Sequence, residues 1–360
     1  MISYIFSRPY NWKGYSTVEK IAYFDSSHDM PEEIISAAGF IPHKILGNVH
    51  ASNDPADQYL PKFFCPAARS WLTEALSRSG EWAGIIFAHG CDATNRHFDV
   101  WKMHVKTPFL YWFNSPIKDD APARRFYKKE LEAMIAAMDK HFGVEITPEK
   151  ISGAIRTANE VKTRLRKLSA LRGVKDISNR EYLEAVTLCL QSSKDECVSF
   201  LDRAIADFGK RGDFPADKRR FYLTGSDITY PEFMDLLDEC GIRVVRDDLS
   251  VGERSFARSI PETGNPLDDI ADYYLGIPKP ATKLTLGGRI DFITMSLEET
   301  KVDAVLSQNL KFCEPYAYDA VPVNNELREK GYRVLHLERE FTPVTDHQVM
   351  NRITAFTEML

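Results

Sequence analysis

The stretch EWAGIIFAHGCDATNRHFDVWK, residues 81–102, decides the architecture of this chain. Its GIIFA run (84–88) is apolar on both alternating faces and short, as a strand covered on both sides must be. A small polar turn follows, and then a segment with helical spacing that opens at Asp92, a residue suited to capping a helix. Strand, turn and helix in that order form the unit of a parallel α/β sheet. The same unit recurs on either side. IAYF (21–24), HKIL (43–46) and FLYWF (109–113) are further strand candidates, with helices between them near Pro31–Gly39 and Pro66–Ser79. The first of these helices opens on a proline and an acidic pair, a common helix start.

Beyond about Ala121 the pattern changes to long helices, expected over Glu130–His141, Pro148–Leu171, Ser178–Leu190 and Lys194–Lys210, with no strand candidate among them. Alternation resumes with FYLTG (221–225), RVVRDD (243–248), DAVLSQ (303–308) and YRVLHLE (332–338), and an amphipathic helix over Asp346–Leu360 closes the chain. The expected fold is therefore α/β: two Rossmann-like lobes with parallel sheets and a helical middle segment. The expected division is an N-terminal lobe at 1–118, the helical segment at 119–215 and a C-terminal lobe at 216–360. A cleft between the lobes is expected to hold the site. The two lobes echo each other only coarsely.

The chain has 360 residues, 44% hydrophobic and 27% charged, as a globular protein of two or three domains would. Its 46 basic and 52 acidic side chains give a net charge of -6, which argues against nucleic acid as a partner. The N-terminal MISYIFSRPYNWKGYS does not read as a secretory signal, and the apolar runs are far shorter than the roughly 20 residues of a membrane span. A cytoplasmic protein without membrane contact is the expectation. There is no GxxxxGK[ST] and no GxGxxG after a strand, so ATP or a dinucleotide is not expected to bind this chain.

Six cysteines in such a setting are thiols or metal ligands rather than a disulfide framework. Their spacing alone matches no zinc or ferredoxin pattern, and six ordinary buried thiols remain the plain reading. Context separates them. Cys91 and Cys313 lie just beyond predicted strands, and Cys65 opens a predicted helix before Pro66. Ligand crevices of open α/β sheets lie outside the carboxyl ends of strands, so these three can converge. A helix start also favours thiolate over thiol at Cys65. Cys189 and Cys240 fall on apolar helical faces and Cys197 follows in the next helix; all three are read as structural.

FFCPAARS (63–70), GCDATNRHFDVWK (90–102), VDAVLSQNLKFCEPYAYD (302–319) and RITAFTEML (352–360) resemble, in order, the signature segments of the 2-hydroxyacyl-CoA dehydratase D-component family. So do PEEIISAAGFIP (31–42) and the segment at 222–256 beginning YLTGSDITYPEF. The family also includes subunits of ATP-dependent benzoyl-CoA reductases. The resemblance implies a [4Fe-4S] cluster in the cleft, held by Cys65, Cys91 and Cys313, with one iron left without a cysteine. It also implies a second homologous subunit or a homodimer, an acyl-CoA substrate, and a separate ATP-hydrolysing iron-sulfur activator that injects one electron. The thioester would then become a ketyl radical and expel the hydroxyl group. The family's N-terminal extension is expected to be short here, since PEE begins at residue 31.

Other residues carry weaker signals. His89 is a candidate donor to substrate or sulfide, with a cap or core role as its plainer reading. Asp247 and Asp248 are candidate acid and base at a strand end, or anchors of a loop through Arg254. Arg69 and Ser70 can balance thiolate charge, and Arg164, Arg166, Lys167, Arg172 and Lys175 read as a solvated helix face. Three further functions fit the same sequence: an aryl-CoA reductase subunit, a family reductase without a CoA substrate, and a metal-free two-lobed binding protein.

Overall fold

In the computed structural model, residues 19–283 and 286–360 are described. The sequence readings of the first sixteen residues and of an N-terminal extension fall outside them.

The first lobe runs β1 (Lys20–Phe24), α1 (Glu32–Ala37), β2 (Ile41–Lys44), α2 (Asp54–Asp57), α3 (Pro66–Arg78), β3 (Gly84–Ala88), α4 (Asp92–His104) and β4 (Leu110–Phe113). All its strands are parallel, in the order β2-β1-β3-β4. Alternation along β1 sends Ile21 and Tyr23 to one face and Ala22 and Phe24 to the other, and all four are buried. On one side Leu72, Ala75 and Trp101 of α3 and α4 cover the sheet.

Four long helices follow: α5 (Ala121–Phe142), α6 (Pro148–Leu171), α7 (Asn179–Cys189) and α8 (Lys194–Gly209). Asp120 and Thr147 cap the first two, each with proline in the first turn, and Ser178 and Ser193 form full capping boxes on the others. Helix α6 is shared. Its first half, with Ile151 and Ile155, closes the other face of the first sheet; its second half, with Leu165 and Leu168, packs on α7 and α8.

The second lobe runs β5 (Arg219–Gly225), α9 (Glu232–Glu239), β6 (Ile242–Asp247), α10 (Pro266–Gly276), α11 (Leu286–Glu299), β7 (Ala304–Leu310), α12 (Glu314–Glu329), β8 (Val334–Arg339) and α13 (His347–Glu358). A 3-10 turn at Glu253–Phe256 precedes α10. Its strands are parallel in the order β6-β5-β7-β8, the arrangement of the first lobe repeated. Helices α9 and α13 cover one face, α11 and α12 the other.

One segment of the third sequence zone does not stay with its sheet. Ile260, Ile270, Tyr273, Tyr274, Leu275 and Ile277 are buried in the first lobe's core, against α5 and α6. Each aliphatic side chain so buried contributes roughly 1.5–3 kcal/mol. The chain thus leaves the second lobe, straps the first, and returns. No described helix is long and apolar enough to cross a membrane.

Candidate functional site

In both sheets the strand order reverses between the first and third strands, at β1/β3 and at β5/β7. A crevice opens outside the carboxyl ends of such a pair, because the connections leave toward opposite sides. Cys91 stands three residues past β3 and Cys313 three residues past β7. Each is the N-cap residue of the helix that follows, α4 and α12, and Cys65 is the N-cap of α3. Three sulfurs therefore sit at the positive ends of three helix dipoles, which favours negative charge there. Asp92, expected to cap α4, is instead its first helical residue and pairs with Arg96 at 3.5 Å on the surface. The backbone places Cys91 one step ahead of it, in the cap itself.

Cys65 and Cys313, from different lobes, lie close enough to shift each other's acidity, and Cys91 acts on Cys65 more weakly. The nearness of Cys313, then burial, pushes the Cys65 pKa well up. The same nearness lowers Cys313 to about 7 against the opposing effect of burial, helped by the nearby Ser226 hydroxyl and the Tyr316 backbone N–H. Cys91 receives Ser26 Oγ at 3.6 Å and lies 3.3 Å from Thr94 Oγ1. Residues from both lobes thus meet at one place. Three soft thiol donors with helix dipoles behind them are a donor set suited to iron. Among the described residues, no three His, Cys, Asp or Glu side chains close round a point as a single metal ion needs.

The other cysteines lie elsewhere. Cys189 and Cys197 are buried in the helical core, where Cys197 Sγ donates to the Cys189 carbonyl at 3.8 Å, and Cys240 closes α9 beside Met350.

Asp247 and Asp248 are almost fully buried, but Arg254 anchors neither. Asp247 accepts from Arg172 Nη1 at 2.9 Å and from the N–H groups of Leu249 and Glu253, while Asp248 pairs with Arg289 at 2.7 Å. Burial raises the pKa of Asp247. Arg172, expected on a solvated face, is sealed between Asp247 and Glu253. Arg254 instead bonds Ser250 and Tyr316, the latter on the Cys313 helix. Arg69 pairs with Asp57, and Ser70 accepts from the Asn48 N–H. His89 packs edge-on to Trp112 beyond β3, and burial lowers its pKa, so it is neutral at pH 7.

Sequence reasoning passed over the loop DSSHD (25–29) that follows β1. Asp25 accepts from two of that loop's own N–H groups, at Ser27 and Asp29, and from that of Met30 just beyond it, while Ser27 reaches Thr282 at 2.8 Å. Asp29, with no exposed surface, is clamped by Lys279 at 2.8 Å and Lys283 at 2.5 Å. A dense polar cluster directly after an apolar strand was the available signal. Lys279 and Lys283 carried none, since their partner is some 250 residues away in sequence.

The family model described as 2-hydroxyglutaryl-CoA dehydratase, D-component, matches residues 28–360. The chain belongs to this family. It is accordingly a component of a dehydratase- or reductase-type enzyme. The D-component chain is 24% identical over 338 residues to the lactoyl-CoA dehydratase subunit beta of Anaerotignum propionicum, covering 92% of this chain and 89% of that one. It is 24% identical to the (R)-phenyllactyl-CoA dehydratase beta subunit of Clostridium sporogenes, with the same coverage. A benzoyl-CoA reductase subunit of Thauera aromatica is 23% identical, over 68% of this chain and 66% of that subunit.

Proposed function

We propose that this D-component chain is the [4Fe-4S] subunit of a 2-hydroxyacyl-CoA dehydratase, with Cys65, Cys91 and Cys313 as cluster ligands. What supports the reading is that Cys65, Cys91 and Cys313 each cap a helix, that Cys91 and Cys313 each lie three residues past the third strand of a lobe, and that Cys65 and Cys313 act on each other's acidity across the lobes. A cubane is larger than one ion, so its ligands stand further apart than a mononuclear site allows. Dehydration is favoured over ring reduction because the two dehydratase subunits align over 92% of the chain and the reductase subunit over 68%. The names of these relatives as subunits support a second subunit as partner, and the reading requires in addition an ATP-hydrolysing activator as electron source.

The bound cluster would supply one-electron reduction and, at an iron without a cysteine, Lewis acidity toward a substrate oxygen. The chain's own residues would do the rest. Helix dipoles at the three caps would favour negative charge on the sulfurs once iron has displaced their protons. Ser26 and Thr94 fix Cys91, and neutral His89 stands near the same strand ends as a proton donor or acceptor for the bound acyl group.

Anaerobic loading with iron and sulfide tests this. Wild type should bind about four irons per chain, Cys65→Ala, Cys91→Ala and Cys313→Ala should bind fewer, and Cys240→Ala should match wild type. With an activator and the partner subunit, 2-hydroxyacyl-CoA should be dehydrated and benzoyl-CoA left unreduced. Equal iron loss in Cys240→Ala and Cys313→Ala would sink the ligand assignment. Turnover of benzoyl-CoA alone would move the enzyme to the reductases.

A further inference from the structure

The two lobes repeat more than their strand order. Each first strand is followed within two residues by a serine, Ser26 after β1 and Ser226 after β5, and each third strand, three residues on, by a cysteine. The two residues of a pair face one another across the point where strand order reverses. We propose that Ser26 and Ser226 are matched positioning residues, each holding its own lobe's cysteine and donating its hydroxyl proton toward that sulfur, so that the cluster is easier to reduce. This rests on the cluster reading above.

In the first lobe the hydrogen-bond directions can be followed. Ser26 Oγ accepts from the Cys91 N–H at 3.2 Å and from Thr94 Oγ1 at 2.8 Å. A hydroxyl oxygen has two acceptor sites and one proton. With both acceptor sites taken, the proton is free for Cys91 Sγ, 3.6 Å away. The contact also depends on Gly90, where a Cβ would stand 2.3 Å from Ser26 Oγ. In the second lobe Ser226 Oγ accepts from the Leu310 N–H at 3.1 Å, and the Cys313 N–H in turn donates to the Leu310 carbonyl at 2.9 Å. The serine is pinned by its own N–H on the Gln308 carbonyl and is buried, and Leu310 links its hydroxyl to the turn that carries Cys313. Here too a glycine makes the approach possible: a Cβ on Gly225 would stand 1.6 Å from the Gln308 carbonyl oxygen.

Reduction adds an electron that spreads onto the cluster's sulfurs. A donor aimed at a ligand sulfur stabilises that added charge, which raises the potential. Cys65 has no matching serine among the described residues, because its helix starts from a loop and not from a strand pair. The chain therefore sets two of its three sulfurs by one device used twice.

The test uses the full chain, loaded anaerobically, as wild type, Ser26→Ala, Ser226→Ala, the double variant and Ser26→Thr. Iron content, thermal midpoint and a redox titration followed by electron paramagnetic resonance are read for each. Both alanine variants should keep their fold and titrate at a more negative potential, the double variant more so, while Ser26→Thr keeps the native potential. Loss of iron in Ser26→Ala that Ser26→Thr restores supports the proposal equally, since only the hydroxyl separates the two outcomes. Unshifted potentials in iron-loaded Ser26→Ala and Ser226→Ala would overturn it and leave the cluster reading standing. So would iron loss shared by Ser26→Ala and Ser26→Thr. A wild-type chain that takes up no iron would overturn the cluster reading, and this inference with it.

Discussion

Changing Asp29 to Asn keeps the side chain's shape and removes its charge. The carboxylate is fully buried and answers two buried ammonium groups, Lys279 at 2.8 Å and Lys283 at 2.5 Å. In the variant both cations keep only neutral acceptors, the Tyr274 carbonyl for one and Ser115 Oγ with the Pro116 carbonyl for the other. Removing one partner of a buried ion pair costs about 3–5 kcal/mol, and two stranded lysines place this case toward the upper end. Urea denaturation of the metal-free chain measures the loss as a lower midpoint at unchanged slope. Adding Lys283→Met should recover part of it, because one uncompensated charge disappears; the two changes couple. The pH dependence has a definite sign. The two lysines lower the Asp29 pKa below 3.8 despite its burial, so the advantage of Asp over Asn is complete above pH 3.8 and fades as pH falls below that. A loss under about 1 kcal/mol at neutral pH would refute the argument, since that is what a screened surface pair contributes.

Other outcomes follow from single residues. His97 has no exposed surface and burial pushes its pKa down to about 3, so stability should fall as pH drops from 6.5 toward 3; His97→Leu should flatten thermal melts across that range. A wild-type profile as flat as the variant's would contradict it. Gly225→Ala meets both a φ of +124° and the Gln308 carbonyl, so the unfolding free energy from urea denaturation should drop by about 1 kcal/mol or more, and an unchanged value would show that the β5 end can yield. Ser178→Ala removes a complete capping box from α7 and should cost about 1 kcal/mol, seen as a lower thermal midpoint; no shift would mean that packing alone fixes that helix end.

Much of the fold is legible where one local rule decides. GIIFA matches β3 residue for residue because an apolar run bounded by glycine has no other plausible burial, and Pro148 starts α6 where expected. The edges slip where pairing decides. β2 occupies Ile41–Lys44 rather than 43–46, since its register is set by β1, and it tolerates Pro42 because it is an edge strand. Helix α5 begins at Ala121, nine residues before the expected start, because Asp120 and Pro122 outweigh the polar stretch between. The placement of Cys91 and Cys313 after strands and of Cys65 at a helix start is likewise local, and legible. Arg172 is not: charge periodicity shows a wet face, and only the tertiary fold brings Asp247 and Glu253 to it. The Asp29 clamp is hidden for the same reason.

The strap formed by α10 and its following loop has a consequence for anyone who would divide this protein. A gene fragment for residues 216–360 would carry Ile270, Tyr273 and Tyr274 with nothing to cover them, and one ending near residue 215 would leave a trough along α5 and α6 where they belong. Neither half is a self-sufficient folding unit, although the two share one topology. If the lobes descend from a duplicated ancestor, the interlocking came later and is irreversible in practice: a cut in the strap should release no soluble half, only unfolding of both. The same interlock opposes a free hinge between the lobes, because opening the cleft widely would pull the strap off α5 and α6.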